Sequence, residues 1–333
     1  MENIQSLKES GRKFFNEQDY SKAVEYFTKV IELEENAMNY YQRATAFGCL
    51  LDRKKAIDDY SKVIELDETF LDAYLYRGLN LFKIEDFKKA DSDFSKVIEF
   101  GGTDMVFLYR GISRIRIRKE NEALDDLNVF IEKEPDHVQA LFHRGLTNRI
   151  LDNLSDAISD LTRVIELSNE NDDLFKVSLE KRGKFYALLE ENEKSVQDLS
   201  DVIELDSNNV HAFYYRGFAF QKLNQNEKAV HDHSKVKELD PDNRNSYHET
   251  LILAKMENSN VEIESSDNRE ETREENEQEN VENSPEKATQ EESKETTETS
   301  EDESKVNEDE TIRNELSSQP LEENPIEIAN KHD

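Results

Sequence analysis

Few residues in this chain of 333 have the type and spacing that reaction chemistry needs. Cys49 is its one cysteine, which excludes an internal disulfide and any multi-cysteine zinc site. No histidine stands near it in sequence, so it reads as a small packed residue and not as a nucleophile. His231 and His233 are two apart, which on a helix turns them about 200° from each other and away from a common metal ion. His137, His143, His211, His248 and His332 show no ligand spacing either. Gly101 and Gly102 form an adjacent pair, but no Lys-Ser/Thr follows to complete a phosphate-cradling loop. The many carboxylates read as solvated faces, with no pair marked as acid and base. Neither catalysis nor a cofactor nor a metal is expected.

What does recur is arginine followed by a small residue. Arg77-Gly78 in "AYLYRGLNLF" returns as Arg110-Gly111, Arg144-Gly145, Arg182-Gly183 and Arg216-Gly217, with Arg43-Ala44 as a variant. Sixteen residues after each arginine stands an aspartate: Asp59, Asp93, Asp126, Asp160, Asp198 and Asp232. Ser10 and Tyr26 hold those two places in the first unit, so both partners are missing together. An evenly spaced row of guanidinium groups is either a ligand ladder or framework. Joint presence and joint absence favour framework, because an arginine facing a helix seam needs a bidentate carboxylate.

The elements that position these pairs follow from a wider repeat. The small residues Gly11, Ala44, Gly78, Gly111, Gly145, Gly183 and Gly217 are each followed twelve positions later by Ala23, Ala56, Ala90, Ala123, Ala157, Ser195 or Ala229. Four further on come Phe27, Tyr60, Phe94, Leu127, Leu161, Leu199 and His233. Small residues let two helices approach closely, and large apolar ones at helical spacing fill their seam.

This pattern resembles the tetratricopeptide repeat. The resemblance implies an all-α fold, a right-handed α-α superhelical solenoid of helix-turn-helix repeats. Seven units are expected at 4–37, 37–70, 71–103, 104–137, 138–171, 176–209 and 210–243, with a capping helix at 244–257. The proline that ends a unit survives as Pro135 and Pro241, while Gly101 and Gly102 are expected to turn the chain after the third. Four extra residues, "DDLF" at 172–175, amount to about one helical turn and can lengthen a helix without rotating its faces.

From Asn258 onward there is no Phe, Tyr, Trp, Gly or Cys, and the segment 258–333 carries a net charge of -19 out of -33 for the whole chain. It is expected to be an acidic disordered tail, because it cannot bury enough apolar surface to offset ordering entropy. A chain this acidic repels nucleic-acid phosphates and anionic membrane surfaces. The N-terminal "MENIQSLKES" lacks a leader pattern. A cytoplasmic protein with protein or peptide partners is the expectation.

In the family the resemblance names, helix A of each unit lines the concave surface. Candidates for a peptide-binding groove there are Tyr76, Leu79, Phe82, Lys83, Tyr109, Ile112, Arg116, Leu146, Arg149, Lys184, Tyr215 and Phe218. Leu79, Ile112, Leu146 and Phe218 occupy a place where the family tolerates polar residues, which marks an apolar groove; the competing reading is packing between helices. The basic members are a local reversal of charge or solvated helix ends. A branch of the family grips a C-terminal carboxylate with five residues; of Lys8, Arg12, Gln42, Asp72 and Tyr76 in those places only Lys8 matches, and Asp72 would repel the ligand. The function expected is a non-catalytic scaffold or adaptor holding a peptide or partner helix. The alternative is an acidic-tailed chaperone shielding a basic partner.

Overall fold

The computed structural model describes residues 3–241. The expected capping helix at 244–257 and the tail at 258–333 lie outside the described residues. Fourteen helices and no strand are present among the described residues. They run in pairs: α1 Ile4–Asn16 with α2 Tyr20–Leu33, α3 Ala37–Cys49 with α4 Arg53–Leu66, α5 Leu71–Lys83 with α6 Phe87–Glu99, and α7 Met105–Arg116 with α8 Glu120–Lys133. The later pairs are α9 Val138–Ile150 with α10 Leu154–Leu167, α11 Asp173–Leu188 with α12 Asn192–Leu205, and α13 Val210–Lys222 with α14 Asn226–Leu239. Residues 173–175 of the four-residue insertion lie inside α11.

The array divides into two compact units, one ending at Asp160 and the next beginning at Leu161. In the first, each helix from α1 to α9 packs on its neighbour in sequence, and α5 also touches α7. In the second, α11 packs on α12, α12 on α13, α13 on α14, and α11 on α13. Each unit is thus a solenoid of helix pairs, in which one pair leans on the next to cover its apolar faces.

Short polar residues start many of these helices. Asp19, Asp52 and Asp86 accept from the backbone N–H three residues on, at the starts of α2, α4 and α6. Close approach of the paired helices rests on the small residues: a Cβ on Gly78 would lie 2.8 Å from the Phe94 ring. Each first helix then ends on a residue in the left-handed region: Gln18, Leu51, Glu85, Arg118, Asp152, Glu190 and Asn224, all with φ between 57° and 63°. After α6 the turn expected of the glycines is present, with Gly101 at φ 78° and the Gly102 N–H donating to the Val97 carbonyl at 2.9 Å.

The arginines lie in the seam, and all six pair with the expected aspartate in two-pronged geometry. Nε and Nη2 of Arg43, Arg77, Arg110, Arg144, Arg182 and Arg216 donate to the two carboxylate oxygens at 2.6–2.9 Å. The aspartates are buried. The remaining nitrogen, Nη1, reaches a third helix. It donates to Thr28, Ser61, Ser95, Asn128, Thr162 or Ser200 at 3.0–3.2 Å, each on the second helix of the preceding pair. Aromatic rings cover several guanidinium faces, as Tyr74 covers Arg77 at 5.7 Å and Phe213 covers Arg216 at 5.6 Å. In the first pair, where both partners are missing, Tyr26 stacks on Phe14 at 5.3 Å.

One clip is reinforced. Arg114 donates to Asp126 at 2.8 Å and to Asp91 at 2.9 Å, and Lys119 donates to Asp91 at 2.9 Å. Asp126 therefore keeps a cation if Arg110 is lost, whereas among the described residues no second cation bonds Asp93.

Arg77→Leu is expected to cost about 3–5 kcal/mol at neutral pH, because it strands a buried carboxylate. Arg110→Leu is expected to cost less. Burial already pushes the Asp93 carboxyl above its ordinary range against the pull of Arg77. Without the arginine, the folded state binds a proton more readily than the unfolded chain, so the deficit of Arg77→Leu relative to the parent should shrink between pH 7 and pH 5. Urea melts at both pH values, with Asp93→Leu closing a double-mutant cycle, measure the coupling. In the turns, Leu51→Gly should stabilise the fold by about 1 kcal/mol, since it relieves a left-handed backbone at a side chain that is 69% exposed. Thermal melting checks it.

Candidate peptide-binding face

The first helix of each pair presents the candidate residues, and the two units hold separate groups of them. In the first unit Tyr76, Leu79 and Tyr109 belong to one packed cluster with Tyr60, Phe94 and Val106. Tyr76 stacks on Tyr60 at 6.0 Å, and Tyr109 meets Phe82 edge-on at 5.3 Å. Leu79 and Ile112 are 2% exposed and Leu146 is fully buried. As open apolar surface the three are therefore a correction to the sequence reading: a buried side chain reaches a partner only after what covers it moves. Arg149 is buried as well. Phe82, Lys83 and Arg116 are partly exposed, with the Arg116 guanidinium 4.9 Å from the Phe87 ring centre.

In the second unit Lys184 lies over the Tyr215 ring at 4.8 Å, and Lys222 over Phe218 at 5.6 Å. Tyr214 meets Tyr215 edge-on at 5.0 Å. All of these side chains keep some exposure. They form an amphipathic aromatic and basic patch on α11 and α13.

A cavity opens where the candidate list did not place one. Between the first and second pairs a pocket of about 180 Å³ is lined by Arg12, Phe15, Asn16, Phe27, Tyr41, Gln42 and Thr45. With its amide oxygen turned toward Arg12, Gln42 accepts from Nε at 3.1 Å and Nη2 at 3.3 Å. The space has a sequence cause. Thr45 stands in the register position that Leu79, Ile112 and Leu146 fill in later pairs, so a short side chain leaves the gap that a large one closes. Its walls combine an exposed guanidinium, aromatic faces and amide groups, which suits a peptide carrying an apolar side chain beside an acidic one.

The carboxylate-clamp arrangement is absent. Lys8, the one matching residue, is tied to Glu34 at 2.6 Å. Burial raises the Asp72 carboxyl, with no cation acting on it. No group of three metal-ligating side chains occurs among the described residues. His143 on α9 is fully buried against Phe142, its Nδ1 without a hydrogen bond, and burial lowers its basicity to a pKa of about 3. His233 is buried and lowered for the same reason.

This geometry is that of a known class. Residues 11–37 match the model of the tetratricopeptide repeat, and the described helices carry the same pair seven times. Over residues 11–37 the chain is similar to the tetratricopeptide repeat. Among solved structures, the C-terminal part of a TPR repeat-containing protein from Cytophaga hutchinsonii superposes with a TM-score of 0.57 at 16% identity, covering 72% of this chain and 98% of that one. That likeness shows the fold. MamA from Desulfovibrio magneticus RS-1 gives 0.47 at 18% identity, over 52% and 99% of the two chains. YrrB, described as a TPR protein with an unusual peptide-binding site, gives 0.41 at 22% identity, over 69% and 100%. No curated protein matches the chain.

Buried neutral histidine makes the fold sensitive to acid. The unfolded imidazole takes up its proton near pH 6.5 and the folded one only near pH 3, so stability present above pH 6.5 is lost as pH falls between those values. From pH 7 to pH 5, His143 should remove about 2 kcal/mol. His143→Leu should abolish that share of the loss, as read from urea melts at the two pH values.

Proposed function

We propose that the protein is a non-catalytic interaction scaffold that holds an extended peptide or a partner helix along the face of its first helices. The observation that carries this reading is the pocket between the first two pairs, where Arg12 and Gln42 offer donors beside the rings of Phe15 and Tyr41. The patch of Lys184, Tyr215, Phe218 and Lys222 supports a further contact of the same chemistry. Phe82, Lys83 and Arg116 supply an aromatic and basic stretch of the first unit. A preformed surface on packed helices lowers the entropy lost on binding. The partner is a protein or peptide. No helix among the described residues is long and apolar enough to cross a membrane.

The charge of residues 258–333 supports a second reading, an acidic chaperone that screens a basic partner. The two differ in what deletion of that segment does: a face-binding scaffold keeps its partner and a screening chaperone loses it.

Thr45→Leu fills the pocket with the side-chain size found at Leu79 without touching charge. Peptides selected from a random display library on the full chain are expected to pair an acidic residue with an aromatic or aliphatic one. Their affinity should fall at least about tenfold in Thr45→Leu and in Arg12→Glu, with the melting temperature unchanged. Selected peptides that bind both variants as tightly as the parent would refute the assignment.

A further inference from the structure

Two turns of the first unit differ in charge from the rest of its acidic surface. The turns that lead from each second helix to the next first helix are acidic, as in Glu32, Glu34 and Glu35, then Glu65, Asp67 and Glu68, then Glu132, Glu134 and Asp136. The turns inside the second and third pairs carry more bases than acids, the acids being Asp52, Glu85 and Asp86. Arg53, Lys54 and Lys55 open α4, Lys83 closes α5, and Lys88 and Lys89 lie in the first turn of α6.

Helix dipoles explain a cation at the end of α5, where the terminus carries partial negative charge. They oppose cations at the starts of α4 and α6, where the terminus is positive. Two of these lysines are answered locally: Lys55 pairs with Asp52 and Lys89 with Asp86, both at 2.7 Å. Arg53, Lys54, Lys83 and Lys88 make no hydrogen bond or ion pair among the described residues. Arg53 and Lys83 are also partly buried and close enough to repel, so that burial and then the Arg53 charge hold the Lys83 ammonium below its ordinary range. Holding unpaired cations together costs stability in a chain with acids to spare. A bound anion would remove that cost. The same edge exposes Leu50, Leu51 and Ile84, so its occupant should be an acidic segment with aliphatic residues spaced along it.

Such a segment is present in the chain itself. Residues 301–316, "EDESKVNEDETIRNEL", hold seven acids and two bases, with Val306, Ile312 and Leu316 between and after the acidic triplets. We propose that the basic turn edge of Arg53, Lys54, Lys83 and Lys88, with Leu50, Leu51 and Ile84, is a docking site for segment 301–316 of the same chain. The 59 residues between Pro241 and Glu301 can span up to about 200 Å when extended. Tethering raises the local concentration of the segment toward millimolar, enough to populate a weak electrostatic contact. The cost is repulsion from the net charge of -14 on residues 1–257, which salt screens along with the attraction. This inference shares Lys83 with the proposed peptide-binding face, but neither Thr45 nor Arg12, on which that reading is tested, belongs to the edge.

The test is nuclear magnetic resonance of the full chain, following the amides of 301–316 at about 0.02 M and about 0.5 M salt. At low salt these signals should be shifted and broadened in the parent and should return to their high-salt positions in Arg53→Glu with Lys83→Glu. Arg53→Gln with Lys83→Gln should release them in part, and circular dichroism should show unchanged helicity in both. Lys62→Glu with Lys96→Glu changes the charge equally on the second helices and should leave the segment docked. Identical spectra in parent and edge variant, equal release by the control, or shifts that grow with protein concentration would each overturn the proposal.

Discussion

A buried carboxylate tolerates its place in a helix seam only if a cation reaches it in good geometry, and the rest of this array depends on how that requirement is met. Each aspartate is answered by an arginine whose two nitrogens face its two oxygens, and whose third nitrogen is left pointing at the preceding pair. The guanidinium has a fork shape that lysine lacks, so one residue bonds its own partner helix and the helix before it. A pairwise seam thereby becomes a joint of three helices. Hydrophobic contact alone sets distance and burial without direction, whereas a forked bond sets the register in which one pair sits on the next.

That joint also decides which surfaces remain for binding. The arginines are used up within the framework, and the glycines and alanines beside them let the helices close until large residues such as Phe94 and Leu127 fill the seam. Side-chain size at one position of the first helix sets whether space opens between the first two pairs. Leucine and isoleucine there are buried, while threonine in the second pair opens a pocket under Arg12. The pocket between the first two pairs therefore opens where the repeat departs from its own average.

Charge follows a different logic from packing. The chain is net negative, but the ordered helices are not uniformly acidic. The second helices of the second and third pairs gather cations at their starts, where the macrodipole works against them. A local arrangement that costs stability and has no internal partner is a sign of something outside the helices that compensates it.

The sequence by itself determined the helices, their pairing and the chemistry of the clip, because all three are written at fixed separations along the chain: an aspartate sixteen places after an arginine, a small residue twelve places after a glycine. Such signals are local, and no neighbour can erase them. Only the tertiary structure decided what lies across from them. The acceptors Thr28, Ser61 and Ser95 each follow the large residue of the repeat by one place, but that they meet the arginine of the next pair is settled only when the pairs are stacked. The left-handed turns at Leu51 and Glu85 use residues with no preference for that conformation, so no turn signal announced them. Leu79, Ile112 and Leu146 read as groove because their spacing is that of a helix face, and spacing says which way a side chain points but not what stands in front of it. Burial is a property of the neighbouring helix, and that helix belongs to another stretch of sequence.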